Sequence, residues 1–144
     1  MELTRLDAGP NQIFAYLRRN AKPEDIVLLV PSGAANRRED SINFYYAYRT
    51  GLRMASGYNG APPDWFLKIV DTLTDFNSGQ PGPKALQTAQ VNGYSYLLLD
   101  SNQAPPAGVP APEIAFDAAP YLKKEMCEEK YCLYKFRFEQ NGKP

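Results

Sequence analysis

Two apolar runs organise this chain. Ile26-Val27-Leu28-Leu29-Val30 is continuous and follows a Lys22-Pro23-Glu24-Asp25 turn; Tyr94-Ser95-Tyr96-Leu97-Leu98-Leu99-Asp100 follows Asn92-Gly93. Runs of this length, apolar on both faces and closed by turn residues, read as buried central strands. A third strand is expected near the end, where Cys132, Tyr134, Phe136 and Phe138 alternate with more polar positions in the period of two of a half-buried strand. Leu52 to Ala55 and Glu113 to Phe116 are short enough to add minor strands.

Between these runs the apolar spacing becomes helical. Ile13, Phe14 and Leu17 share one face of a segment opened by Gly9-Pro10 and closed before Pro23. Ser41 to Thr50, with Asp40 as cap and Gly51 as stop, fits a second helix, although its run of aromatic residues also suits a strand. Asp64 to Phe76 carries the stripe Trp65, Phe66, Ile69, Val70 and Leu73 behind Pro63. Pro83 starts another short helix that ends before Asn92-Gly93. Helices alternating with buried strands predict an α/β fold: a mixed sheet of four to six strands with helices packed against it. Proline-rich residues 101–112 read as an irregular surface connection, and residues 139–144 as a frayed tail.

At 144 residues the chain is the size of one domain, and a chain of this length buries about 70% of its unfolded surface. Sixteen basic and sixteen acidic residues cancel, without a run of either sign, so the basic footprint of a nucleic-acid binder is missing. The chain contains no histidine, which excludes Ser-His-Asp and Cys-His catalysis and removes the commonest transition-metal ligand. No cofactor motif and no metal-ligand spacing is present. The longest aliphatic stretch, Ile26 to Val30, is far short of the ~20 residues of a membrane-spanning helix. Met1 leads directly into a polar segment, a start that suits a small cytoplasmic protein and equally a domain cut from a longer chain.

Four groups of residues carry candidate chemistry. Tyr58, Asn59, Asp64 and Trp65 lie in or beside a Gly/Pro-rich loop and are of the types that hold sugars, with flat aromatic faces and short hydrogen-bonding side chains. The competing reading makes the loop a tight turn and Trp65 a core residue of the helix after it. Arg37 and Arg38 follow the first strand, at the edge where α/β sheets take ligands, and suit a phosphate or anionic headgroup; no phosphate-cradling glycine pattern accompanies them. Asp64, Asp71 and Asp75 read more simply as a charged helix face than as a hydrolytic pair. Cys127 and Cys132 would face each other across a hairpin tipped by Glu129-Lys130, where paired Cα atoms lie about 4.5 Å apart, within disulfide range. A bridge would indicate an oxidising compartment; two reduced thiols are the alternative.

The order of features from Ile42 to Asp100 resembles the soluble C-terminal region of bacterial glycosyltransferase-like proteins with many transmembrane helices. It is carried by Arg49-Thr50-Gly51, Gly57-Tyr58-Asn59-Gly60, Pro62-Pro63, the Trp65-Phe66-Leu67 helix and Val91 to Leu99. Tyr16 to Val30 and Leu133 to Phe136 are similar to the opening and closing segments of such regions. The resemblance implies a non-catalytic accessory domain on the periplasmic or outer face of a membrane. Its partners would be the transmembrane portion of its own chain and a carbohydrate or lipid-linked sugar. In those proteins the catalytic carboxylate lies in the membrane-embedded half, so no catalytic residue is implied here. The reading from another class is a free-standing cytoplasmic binding domain.

Overall fold

The computed structural model describes residues 9–31, 45–55, 68–69, 72–101 and 111–138. Helix α1 (Asn11–Asn20) leads to β1 (Ile26–Val30), the short helix α2 (residues 45–50) and β2 (Arg53–Met54). Helical residues 68–69 and 72–73 run into a 3₁₀ turn, Thr74–Ser78, followed by α3 (Pro83–Val91) and β3 (Tyr94–Asp100). The chain closes with α4 (Pro112–Ala118), β4 (Leu122–Glu128) and β5 (Tyr131–Phe136). The five strands form one mixed sheet in the order β2-β1-β3-β5-β4. The first three are parallel, and β5 and β4 pair antiparallel.

The continuous apolar strands are explained by a core on each face. Val27, Leu29, Leu98 and Leu133 meet Ile13, Phe14 and Leu17 of α1 and Tyr46 of α2 on one side. Leu28, Val30, Leu97, Leu99 and Tyr134 meet Leu73, Phe76, Ala85, Ala89 and Phe116 on the other. Each buried Leu or Phe contributes about 1.5–3 kcal/mol by leaving water, an upper figure for a chain already partly collapsed when unfolded. Gly79, at φ +83, passes 2.9 Å from the Pro112 backbone, measured from where a Cβ would stand, so a side chain there would push the 3₁₀ turn off α4.

Two expectations change, and one strand is added. Glu113 to Phe116 is not a strand but the middle of α4: Pro112 occupies its first turn, Glu113 sits at its N-terminal end, and Phe116 packs edge-on against Tyr134 at 5.7 Å. The last strand does not alternate, because β5 lies between β3 and β4 and buries Cys132, Leu133 and Tyr134 in succession. Its partner β4, a segment to which no element was assigned from the sequence, is an edge strand with a register shift between Lys124 and Met126. The shift turns Glu125 and Glu128 towards α1, while Lys124 and Cys127 face α4.

The hairpin reaches back to the start of the chain. The Glu128 carboxylate accepts hydrogen bonds from the Gln12 and Ile13 N–H groups, at 2.8 and 3.1 Å. Pro10, the residue before α1, makes no side-chain cap. A carboxylate from a strand 115 residues on therefore satisfies two of the orphan donors at the positive end of the helix. Nearby, Tyr16 donates to Glu125 at 2.6 Å; that bond, with burial, pushes the tyrosine pKa up to about 12.

Candidate functional site

The strand order sets where a ligand would be taken. The β1-to-β2 connection passes through α2 on the α1 face, and the β2-to-β3 connection places Ile69, Leu73, Phe76 and α3 on the opposite face. The connections diverge between β1 and β3, and in open α/β sheets ligands lie outside the carboxyl ends of the strands at such a point. Arg37 and Arg38 come seven and eight residues after β1 ends, and Tyr58 and Asn59 four and five after β2. Those four residues, with Asp64 and Trp65, lie outside the described residues, as do Asp71 and the tail 139–144.

Of the acidic residues considered as a hydrolytic pair, Asp75 is described, and its carboxylate accepts from the Gly82 N–H at 3.2 Å. That bond holds the turn before α3 and gives Asp75 a structural task. An open groove is lined by Lys68, Ile69 and Thr72 on one side and by Lys84 and Thr88 of α3 on the other.

Level with the carboxyl ends of β1 and β3, on the far side of the sheet from β2, Cys127 and Cys132 form a disulfide. They are direct cross-strand partners with Cα atoms 4.0 Å apart, the close approach of a non-hydrogen-bonded pair. Glu129 takes the left-handed conformation at the hairpin tip, φ +55. Cys127 is exposed and Cys132 buried, with its sulfur 3.4 Å from the Glu113 carboxylate. The carboxylate and both sulfurs fall within 4.8 Å of one another, but sulfurs bonded to each other offer no thiolate to a metal.

Beside the bridge stands a small charge network. Lys124 Nζ lies 2.8 Å from Asp117 and 3.1 Å from Glu113, and the Tyr134 hydroxyl donates to Asp117 at 2.8 Å. Burial alone would raise the Asp117 pKa; hydrogen bonds from Lys124 and Tyr134 outweigh it and hold the carboxyl low. The Lys124 ammonium is raised, chiefly by its bond to Asp117 and then by Glu113. Burial, with the Asp117 bond second, drives the Tyr134 pKa well above its ordinary value. The arrangement pins α4 onto the hairpin. It presents no nucleophile beside a base.

A second concavity, of about 310 Å³, opens at the amino ends of the parallel strands and is lined by Asn20, Lys22, Asp25, Ser95, Tyr96 and Lys135, among others. No sequence feature singled it out. Its residues come from three separate stretches of the chain, and its polar residues look one by one like ordinary solvated side chains.

Comparison by sequence finds no matching family model and no matching curated protein. The fold does have a known likeness. It is similar to the C-terminal globular domain of an oligosaccharyltransferase from Archaeoglobus fulgidus, with a TM-score of 0.57 at 10% identity, over 95% of this chain and 100% of that one. At that identity the likeness is one of fold. Among the described residues no helix is long and apolar enough to cross a membrane.

Proposed function

We propose that this chain is a non-catalytic, extracytoplasmic domain of a larger glycosyltransferase-like membrane protein, carried by transmembrane segments of the same polypeptide. The observation that supports this most is the likeness of fold, end to end, to the C-terminal globular domain of an oligosaccharyltransferase. It agrees with the resemblance carried independently by residues 16–30 and 42–100. The cross-strand disulfide fits the same reading, because such bonds persist in oxidising compartments outside the cytoplasm.

In this role the carboxyl edge of the parallel strands is the contact surface for an acceptor sugar, a lipid-linked donor or a partner. Tyr58, Asn59, Asp64 and Trp65 supply aromatic and hydrogen-bonding contacts, and Arg37 and Arg38 meet a phosphate or anionic headgroup. These residues follow the adjacent parallel strands β1 and β2 in the chain, where this class of sheet takes ligands.

An antibody raised to the domain, used on fractionated cells of the source organism, tests the proposal. The expected result is a membrane-bound band several times larger than the chain's 16.1 kDa. A soluble band at the chain's own mass would overturn it and favour a free-standing binding domain.

A further inference from the structure

The cleft at the amino ends of β1 and β3 is built around an irregularity. Ile26 pairs with Tyr94 but Val27 pairs with Tyr96, so the register slips and Ser95 is an extra residue in β3. Such bulges are uncommon in parallel pairs, and they gather where a sheet must re-aim a side chain beside a functional site. Here the slip sends Tyr94 to one core and Tyr96 to the other and leaves Ser95 between them. Ser95 Oγ donates to Asp25 Oδ1 at 2.9 Å, while Asp25 Oδ2 accepts from the Lys22 N–H at 2.8 Å. Both oxygens of the carboxylate are thus held in position at the floor of the turn between α1 and β1.

Lys22 and Lys135 line the same cleft as this carboxylate, and neither forms an ion pair among the described residues. Asn20 adds a side-chain amide whose Nδ2 donates back to the Tyr16 carbonyl at 2.9 Å. Two ammonium groups against one carboxylate leave the lining net positive. A volume of about 310 Å³ is at the small end of ligand clefts. Positive charge favours an anion, and the fixed Asp25 and Ser95 offer an acceptor and a hydroxyl to a neighbouring alcohol. A bare phosphate has no neutral hydroxyl set apart from its charge, so it would bring anionic oxygens against the Asp25 carboxylate.

We propose that this cleft binds a monosaccharide unit bearing a carboxylate or phosphate, its anionic group between Lys22 and Lys135 and a ring hydroxyl donating to Asp25. The site is distinct from the carboxyl-edge surface proposed above and stands whether or not the chain is part of a membrane protein.

The test is a titration of the ¹⁵N-labelled chain with glucuronate, glucose 1-phosphate, glucose and inorganic phosphate, each alone at low ionic strength. Glucuronate or glucose 1-phosphate should shift the amides of Lys22, Asp25, Ser95, Tyr96 and Lys135 saturably, and the affinity should fall as salt is added. Which of the two binds more tightly separates a carboxylate source from a phosphate source. Glucose should bind at least about tenfold more weakly, as should the Lys22→Ala/Lys135→Ala variant towards the charged sugar, each a difference of about 1.4 kcal/mol. Both lysines are exposed, so the variant should keep the parent's melting temperature. No saturable shift with either charged sugar, equal binding of glucose, equal binding of inorganic phosphate, or undiminished binding by the variant would each overturn the proposal.

Discussion

At the scale of single residues, the stability of this domain leans on side chains that reach from one element to another. Lys124 shows how such a contact should respond to pH. Its raised pKa means that its contribution is complete below its unfolded value, about 10.4, and is lost as pH rises through the folded value. Asp117 is lowered, so its contribution is complete above about 3.9 and is lost as pH falls through its folded value. Lys124→Met should therefore flatten the stability profile at both extremes in urea titrations taken from pH 3 to 11. At pH 7 the cost should stay within about 1 kcal/mol, since the three charged side chains, Lys124, Glu113 and Asp117, are each more than a third exposed and screened by water. A profile unchanged at both ends would mean the contacts do not form in solution. None of this network was legible in the sequence. Glu113, Asp117 and Lys124 are ordinary surface types, and only the docking of α4 onto the hairpin brings them together.

Among the elements, the β4–β5 hairpin carries the most consequence. It ends the sheet, caps α1 through Glu128 and holds α4 through Lys124 and Tyr134. The bridge from Cys127 to Cys132 closes a loop with a sequence separation of five, for which loop entropy suggests about 2 kcal/mol of stabilisation. Replacing both cysteines by serine should lower the urea midpoint accordingly, and a thiol reductant should do the same to the parent, since Cys127 is exposed. Equal stability with and without the bridge would mean that the hairpin turn already restricts the unfolded chain. The pairing was legible as one of two alternatives, because a two-residue turn at Glu129-Lys130 makes the cysteines direct partners. The helical state of α4 was not legible. Glu113-Ile114-Ala115-Phe116 is too short for periodicity to separate helix from strand, and in the helical state Phe116 packs against Tyr134.

For the molecule as a whole, the two cores cannot melt separately. Strands β1, β3 and β5 each place alternate residues in both, as with Leu28 and Leu29, Leu97 and Leu98, and Leu133 and Tyr134. Phe76→Ala removes a fully buried ring from one core and should cost about 3–5 kcal/mol. Unfolding should nevertheless remain a single transition, with far-UV circular dichroism and tyrosine absorbance changing together in urea. Separate midpoints would show that the two sides of the sheet are independent units.

What the sequence determined by itself was the class of fold and its central strands. Continuous aliphatic runs between helix-spaced stripes have few other ways to leave water, and Ile26 to Val30 and Tyr94 to Asp100 are strands as expected. It also excluded histidine-based chemistry, because a missing residue type needs no coordinates. The tertiary structure alone decided the strand order, the edge position of β4, the helical state of α4 and the cleft where Lys22, Asp25, Ser95 and Lys135 meet. Each of these depends on contacts between residues far apart in the chain. Such contacts leave no periodic trace in the segments that make them, because each segment supplies only one or two of the groups.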